Sequence, residues 1–293
     1  MAMQLEDLDW KCKDGTRMYA FVCQPELVEN RDSGTSGIKG VIGIVHGMGE
    51  HTGRYKHVAE RFTNAGYAVL LFDHRGHGLT QGLKGHTPDY ESLLEGIDLL
   101  LAEAERRFPG VPRLLFGHSM GGNVTLNYVI RRKPQLAGAL VTGPWLKLAF
   151  DPPKLQVAIG TVLERIKPTY MNNRPLRPEN LTSHPDMIQS IREDKMRHGF
   201  ISARFFFGVV RAGRYALQHA AEAKVPLYVM HGGEDFVTSI AASREFVTRA
   251  GDVCRFMEWP ALRHELHNER VWEEVVDRML EWFDERVDAV VPV

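Results

Sequence analysis

Leu114-Leu115-Phe116-Gly117-His118-Ser119-Met120-Gly121-Gly122 decides how the rest of the chain is read. The apolar run Leu114 to Phe116 reads as a buried strand, and Asn123 to Arg131 reads as a helix. Between them stands Gly117-x-Ser119-x-Gly121, the spacing of a strand–turn–helix elbow that lifts a serine hydroxyl clear of a sheet. Glycine at the two flanking positions removes side chains that would strike the neighbouring strand and helix. The helix that follows aims its amide hydrogens and positive end at any oxyanion formed beside the serine. A Gly-rich strand-to-helix connection with no chemistry fits the same residues, so the decision rests on the remainder of the chain.

Working outward, the flanking sequence alternates strands and helices. Val41 to Val45, Tyr67 to Phe72, Ala137 to Thr142, Pro226 to His231 and Cys254 to Trp259 are short apolar runs of strand length. Tyr55 to Ala65 (closed by Gly66), Tyr90 to Phe108, Ile240 to Ala250 and Arg270 to Arg286 carry helical spacing. The second has Leu93, Leu94, Ile97, Leu100 and Leu101 on one stripe, and the last has Val271, Trp272, Val275, Met279 and Phe283. Leu8 to Lys13 and Met18 to Cys23 flank Asp14-Gly15-Thr16 and predict an opening hairpin. Glu29 to Lys39 is a polar loop. The βα rhythm predicts a mostly parallel sheet covered on both faces.

The rhythm breaks between residues 143 and 222. Strand signals vanish, prolines gather at Pro152, Pro153, Pro168, Pro175, Pro178 and Pro185, and helical patches cover Leu155 to Ile166, Met187 to Met196 and Ala203 to Leu217. We divide the chain into a core of 1–143 and 223–293 with a helical lid inserted at 144–222.

Bulk properties narrow the function. A net charge of −1 over 293 residues gives nucleic acid no electrostatic hold. Three cysteines, Cys12, Cys23 and Cys254, are too few and too scattered for a disulfide framework or a zinc site. Cys12 and Cys23 could face each other across the hairpin, but reduced core thiols suit them better. Residues 1–9 are acidic and lack the apolar core of a secretory signal. No apolar run nears the ~20 residues of a membrane span. A cytoplasmic protein is expected.

Acyl transfer by serine needs a base, an acid to orient it, and donors for an oxyanion. In an open parallel sheet these belong after the carboxyl ends of strands. The strand at Pro226 runs into Gly232-Gly233-Glu234-Asp235. Asp235 is the acid candidate; Glu234 competes, and Asp235 could instead serve only to cap the helix near Ser239. The strand at Cys254 runs into Arg263-His264-Glu265-Leu266-His267, where His264 is the base candidate and His267 reads as structural. The order Ser119, Asp235, His264 is that of the fold class bearing such elbows. Amides of Met120 and Met48, the latter in His46-Gly47-Met48-Gly49, are the oxyanion donors expected from it. Asp73-His74-Arg75-Gly76-His77-Gly78 shows two histidines but no further ligands at matching spacing, so no metal is expected, and no cofactor. Asp73, Arg75, Glu50 and His51 read as residues that tie loops together.

Jointly these motifs resemble the α/β-hydrolase fold and, within it, the monoacylglycerol lipase / lysophospholipase group of serine hydrolases. The stretches that carry the resemblance are His46-Gly47-Met48-Gly49-Glu50-His51-x-Gly53-Arg54-Tyr55, Asp73-x-Arg75-Gly76-His77-Gly78, Gly117-His118-Ser119-Met120-Gly121-Gly122 and His264-Glu265-Leu266-His267-Asn268-Glu269. They span nearly the whole chain apart from the insertion. The resemblance implies Ser119 as nucleophile, His264 as base, Asp235 as acid, the Met48 and Met120 amides as oxyanion hole, and hydrolysis of lipid-like esters with one acyl chain through an acyl-enzyme. Thr80 and Met48 depart from residues common in that group (Ser and Ala), and the Met48 side chain would narrow the acyl or alcohol pocket. A carboxylesterase, thioesterase or acyltransferase would use the same residues. A non-catalytic binding protein on this scaffold would be expected to have lost one of them. In the insertion, Phe200, Ile201, Phe205, Phe206, Phe207, Val209 and Val210 would mostly pack onto the core. Leu155, Val157, Ile159, Val162 and Leu163, with Lys154, Arg165 and Lys167, could instead form an interfacial helix that touches a membrane transiently. Oligomeric state has no signature here.

Overall fold

The computed structural model describes residues 3–25 and 37–290, so the polar loop expected at Glu29 to Lys39 lies almost entirely outside the described residues. Asp14 opens the first turn by accepting the Thr16 N–H at 3.0 Å, and Gly15 takes a positive φ of 87°. The chain thereby doubles back from β1 (Met3–Lys11) to β2 (Arg17–Pro25), each longer than its apolar run suggested. Cys12 and Cys23 are both buried free thiols, and they pack into different core clusters.

β3 (Gly40–Val45), β4 (Tyr67–Phe72), β5 (Arg113–His118), β6 (Gly138–Thr142), β9 (Leu227–Gly232) and β10 (Cys254–Trp259) complete an eight-stranded sheet ordered β1-β2-β4-β3-β5-β6-β9-β10. β2 pairs antiparallel with β1 and β4; every other pair is parallel. β3, β4, β6 and β9 are buried at every residue, which is why they read as continuous apolar runs rather than alternations.

Helices cover the two faces. α1 (Lys56–Asn64) and α9 (Trp272–Asp288) close one core, where Phe62 and Phe283 meet edge-on at 5.7 Å. α2 (Glu91–Arg107), α3 (Met120–Arg132) and α8 (Ile240–Ala250) close the other. The α9 stripe differs from expectation. Val271 precedes the helix and is exposed, Trp272 is half-buried, and Val276 and Trp282 take the buried places. Leu101 of α2 is likewise only half-buried.

Between β6 and β9 run α4 (Lys154–Ile166), β7 (Met171–Asn173), α5 (Pro178–Leu181), α6 (Pro185–Glu193), β8 (Phe200–Ser202) and α7 (Ala203–Gln218). The expectation that strands vanish here is wrong: β7 and β8 form a separate two-stranded antiparallel sheet. At three residues each, they are too short to show an alternating pattern. α7 belongs to the main core as much as to the insertion. Its Phe205 and Val209 are fully buried, and Asn123 and Asn127 of α3 donate to its Val209 and Ala212 carbonyls. α4, by contrast, buries no residue. No helix among the described residues is long and apolar enough to cross a membrane.

Candidate active site

β5 delivers Ser119 into a left-handed conformation, φ 53° and ψ −113°. Such backbone is costly for a residue with a Cβ, about 1–3 kcal/mol, and persists only where its surroundings over-determine it. Here the Ser119 N–H donates to the Thr142 carbonyl at 2.9 Å, and the Ser119 carbonyl accepts from Trp145 and Asn123. Helix α3 starts at Met120, three residues before the helix legible in the sequence, because the strained serine is itself the cap. Gly121 is obligatory: a Cβ there would lie 1.9 Å from the Val45 carbonyl oxygen. At Gly117 it would lie 2.4 Å from Thr125 Oγ1.

The three candidates from distant parts of the chain meet at the carboxyl ends of β5, β9 and β10. His264 Nδ1 is 2.7 Å from Asp235 Oδ2, and His264 Nε2 is 2.9 Å from Ser119 Oγ. A carboxylate only accepts, so Nδ1 carries the hydrogen, and Nε2 is left to accept from the Ser119 hydroxyl. Asp235 is pinned at both oxygens. Oδ1 accepts the Val237 and Thr238 amides at 2.7 and 2.9 Å, and Oδ2 also accepts from Thr238 Oγ1 at 2.8 Å. The competing Glu234 is exposed. The capping alternative for Asp235 falls to Ser239, whose own hydroxyl accepts from the Ala242 amide of α8. Burial works to raise the Asp235 carboxyl, but His264 and His231 outweigh it and hold it well below the usual range. Burial works to lower His264, but Asp235, with Glu265 and Glu50 behind it, raises the imidazole above its ordinary 6.5.

Met120, as the first residue of α3, presents one of the helix's unpaired amides. Met48 lies in the loop after β3 and, with Ser119 and His264, lines a cavity of about 560 Å³. Its lining includes apolar side chains, among them Val157 and Leu163 of α4 and Phe206 and Phe207 of α7, and polar ones, among them Glu50, Glu265 and Arg197.

Sequence reading assigned Glu50 to loop ordering alone. It does order the loop, since Oε2 accepts from the Gly47 amide at 3.0 Å and the Tyr55 hydroxyl at 2.7 Å, but its carboxylate also faces the cavity. Burial and the neighbouring Glu265 push it up to about 7. Glu265 was missed. Its Oε2 accepts from Arg54 Nη2 and Asn268 Nδ2, both at 2.7 Å. Burial opposes its ionisation, yet the Arg54 guanidinium prevails and lowers it. Glu50, His118 and Glu265 offer three buried ligand atoms within 4.8 Å of one another, but Arg54 already meets the Glu265 charge. His51 caps the turn before α1 and pairs with Asp194 at 2.9 Å.

Asp73 receives the Thr52 and Leu79 amides, and Arg75 reaches Asp14 and Glu95, so both tie loops together. His74 meets His46 edge-on and His77 lies tilted against it, and His267 stacks on Tyr55 in a 3-10 turn before α9. The signal for Glu265 was its place beside the base candidate in the loop after β10.

Residues 36–271 match the family described as Hydrolase_4: Serine aminopeptidase, S33. The monoacylglycerol lipase of Mycolicibacterium smegmatis is 32% identical over 246 residues, 83% of this chain and 88% of that protein. An uncharacterized abhydrolase domain-containing protein of Dictyostelium discoideum is 33% identical over 84% of this chain, but the chain spans only 26% of its length. The crystal structure of a monoacylglycerol lipase from Paleococcus ferrophilus superposes with a TM-score of 0.80 at 28% identity, covering 97% of this chain and 99% of that one. The chain is therefore a serine hydrolase of the α/β-hydrolase fold and belongs to the Hydrolase_4 family, in its monoacylglycerol lipase-like group.

Proposed function

We propose that the protein hydrolyses carboxylic esters carrying one acyl chain and a small neutral polyol, with monoacylglycerols as the substrate class. Ser119 attacks the ester carbonyl while His264 Nε2 takes its proton, and Asp235 stabilises the imidazolium that results. The Met48 and Met120 amides receive the tetrahedral oxyanion, a kind of donor worth ~10²–10³ in turnover each. His264 then protonates the departing alcohol, and water, activated by the same nitrogen, clears the acyl-enzyme. The observation that carries this reading is the unbroken chain of hydrogen bonds from Ser119 through His264 to Asp235 at the wall of a cavity lined by both apolar and polar side chains.

Residues 144–222 are the lid in this reading, and the cavity end between α4 and α7 takes the acyl chain. The polar side chains of the lining take the alcohol, where Glu50 and Glu265 can accept from the hydroxyl donors of glycerol. The outer face of α4 supports a peripheral membrane contact. Leu155 and Ile166 are 72% and 73% exposed, and Lys154, Arg165 and Lys167 flank them.

The test joins a fluorophosphonate probe to a panel of monoacylglycerols, lysophospholipids, p-nitrophenyl esters and acyl thioesters of graded chain length. Labelling that Ser119→Ala abolishes, with fastest turnover on monoacylglycerols, is the expected result. Equal labelling of wild type and Ser119→Ala overturns the mechanism. Faster turnover of lysophospholipids overturns the head-group assignment, and faster turnover of acyl thioesters overturns the reaction class.

A further inference from the structure

One donor to Asp235 has no part in the steps above. His231, in β9, is fully buried. Its Nε2 lies 3.1 Å from Asp235 Oδ2 and 3.3 Å from the Thr238 carbonyl oxygen. Its Nδ1 lies 2.8 Å from Ser243 Oγ on α8. A carboxylate and a carbonyl can only accept, so Nε2 carries the hydrogen. Nδ1 is then bare and accepts from the Ser243 hydroxyl. In the neutral ring the Nε2 side sets the tautomer, and the Ser243 hydroxyl, which can turn to donate, completes it.

We propose that His231, locked by Ser243, is a positioning residue for the reaction: its Nε2–H holds Asp235 Oδ2 against His264 Nδ1 and takes a share of the carboxylate's charge. This rests on the reading of Ser119, His264 and Asp235 as a triad.

The case is geometric. Oδ2 is the one oxygen that touches the base, and it accepts from His264, Thr238 and His231 together. Thr238 and the two amides on Oδ1 all come from the loop that carries Asp235 itself. His231 alone ties the carboxylate to the sheet, and Ser243 ties His231 to the helix beyond. Without that N–H the carboxylate keeps its contacts to Val237, Thr238 and His264 but loses its tie to β9, and the imidazole is aimed less well in the step where it takes the Ser119 proton. More of the carboxylate's negative charge also falls on His264, which raises its basicity. The other groups facing His264 are Glu265 beside it, His267 from the turn before α9, Glu50 from the loop after β3 and His118 from the end of β5, and none of these changes in the variants below.

The experiment measures p-nitrophenyl ester hydrolysis by the full chain from about pH 5 to about pH 9, with melting temperatures alongside, because such profiles report the essential base. The variants are His231→Leu, His231→Gln, Ser243→Ala and Ser119→Ala. His231→Leu is expected to lower kcat roughly tenfold, as loss of a hydrogen bond to a charged group does, with KM little changed and the acid midpoint moved to higher pH. Gln can return an amide N–H to the same oxygen, so His231→Gln is expected to recover most of kcat. Ser243→Ala removes the group that holds Nδ1 without removing the ring, and is expected to fall between, with the melting temperature only modestly lowered by the buried nitrogen left unpaired. If Leu does not fold, Gln and Ser243→Ala still decide the matter. A wild-type midpoint and kcat in all three overturns the proposal. So does a Gln variant as impaired as Leu, since packing alone would then be at stake. If Ser119→Ala retains turnover the triad reading itself fails, whereas an inactive Ser119→Ala beside wild-type His231 variants removes the His231 proposal only.

Discussion

Replacing Arg54 by methionine isolates the charge balance around Glu265 and Glu50. The guanidinium is 8% exposed and donates to Glu265 Oε2 at 2.7 Å, where the carboxylate is 1% exposed; its other arm lies 3.8 Å from Asp194. Methionine keeps most of the stem's volume and removes the cation, leaving Glu265 and Glu50 close together and unpaired. Removing one partner of a buried pair costs about 3–5 kcal/mol, because the desolvated charge left behind has no compensation. In a domain of this size that is a fall in melting temperature of roughly 5–8 °C. The sign with pH follows from the shifts. Arg54 holds Glu265 below its ordinary 4.5, so the stability it contributes is present above pH 4.5 and is lost as pH falls below that. Without Arg54, burial and Glu50 dominate and raise Glu265, so the variant regains stability as its carboxylates protonate. The gap between wild type and Arg54→Met should thus be widest at neutral pH and should close on acidification. Thermal melts over that range check it, with Glu265→Gln completing a double-mutant cycle. The double variant should be more stable than Arg54→Met alone. A gap under about 1 kcal/mol at neutral pH, or one that widens in acid, would refute the reasoning.

Three further perturbations read other parts of the structure. His264 must be neutral to accept the Ser119 proton, and Asp235 raises its pKa, so kcat/KM should fall on the acid side with a midpoint above pH 6.5; a midpoint below that value contradicts the raised imidazole. Gly121→Ala puts its Cβ 1.9 Å from the Val45 carbonyl oxygen, backbone that cannot step aside, whereas Gly208 in the middle of α7 has nothing within 4 Å of the same atom. The first should yield little folded protein, and Gly208→Ala should stabilise by about 0.5–1 kcal/mol, both read by soluble yield and thermal melt. Phe283→Ala empties a fully buried site between α9 and α1 and should cost about 3–5 kcal/mol in denaturant unfolding, with the midpoint moving and the slope unchanged.

What was legible in the sequence follows from which constraints are local. The parallel strands and flanking helices each announce themselves within a dozen residues, and the candidates Ser119, Asp235 and His264 could be picked because each residue type stands just after a strand. The elbow helix was read three residues short because Gly121 and Gly122 look like loop, while the actual constraints are the approach of Val45, over 70 residues away, on Gly121 and of Pro144 on Gly122. Arg54 and Glu265 are separated by 211 positions, and neither looks unusual until the fold brings them to 2.7 Å. β7 and β8 fail for a different reason: three residues cannot display a period of two convincingly, and their pairing is fixed only once the insertion folds back on itself.

Helix α4 shows the same boundary within a single element. Its amphipathic pattern is plain in the residue order, and both Leu155 and Leu163 belong to it. The pattern cannot assign them different partners, because helical spacing reports that faces exist and not what meets them. In the folded chain Leu155, Val162 and Ile166 stand 57–73% exposed, while Val157, Ile159, Gly160 and Leu163 line the cavity. A helix with apolar residues on two faces, buried on neither, is stabilised by little of its own and gains most from whatever fills the cavity or covers the outside. Ester binding at one face and lipid at the other would then each order α4, and each would ease the other's binding without a direct contact between them. Liposomes should accordingly lower KM for a long-chain monoacylglycerol more than for a short p-nitrophenyl ester that leaves the acyl end empty. Ile166→Glu on the outer face should erase that difference, and equal effects on the two substrates would show that α4 does not couple them.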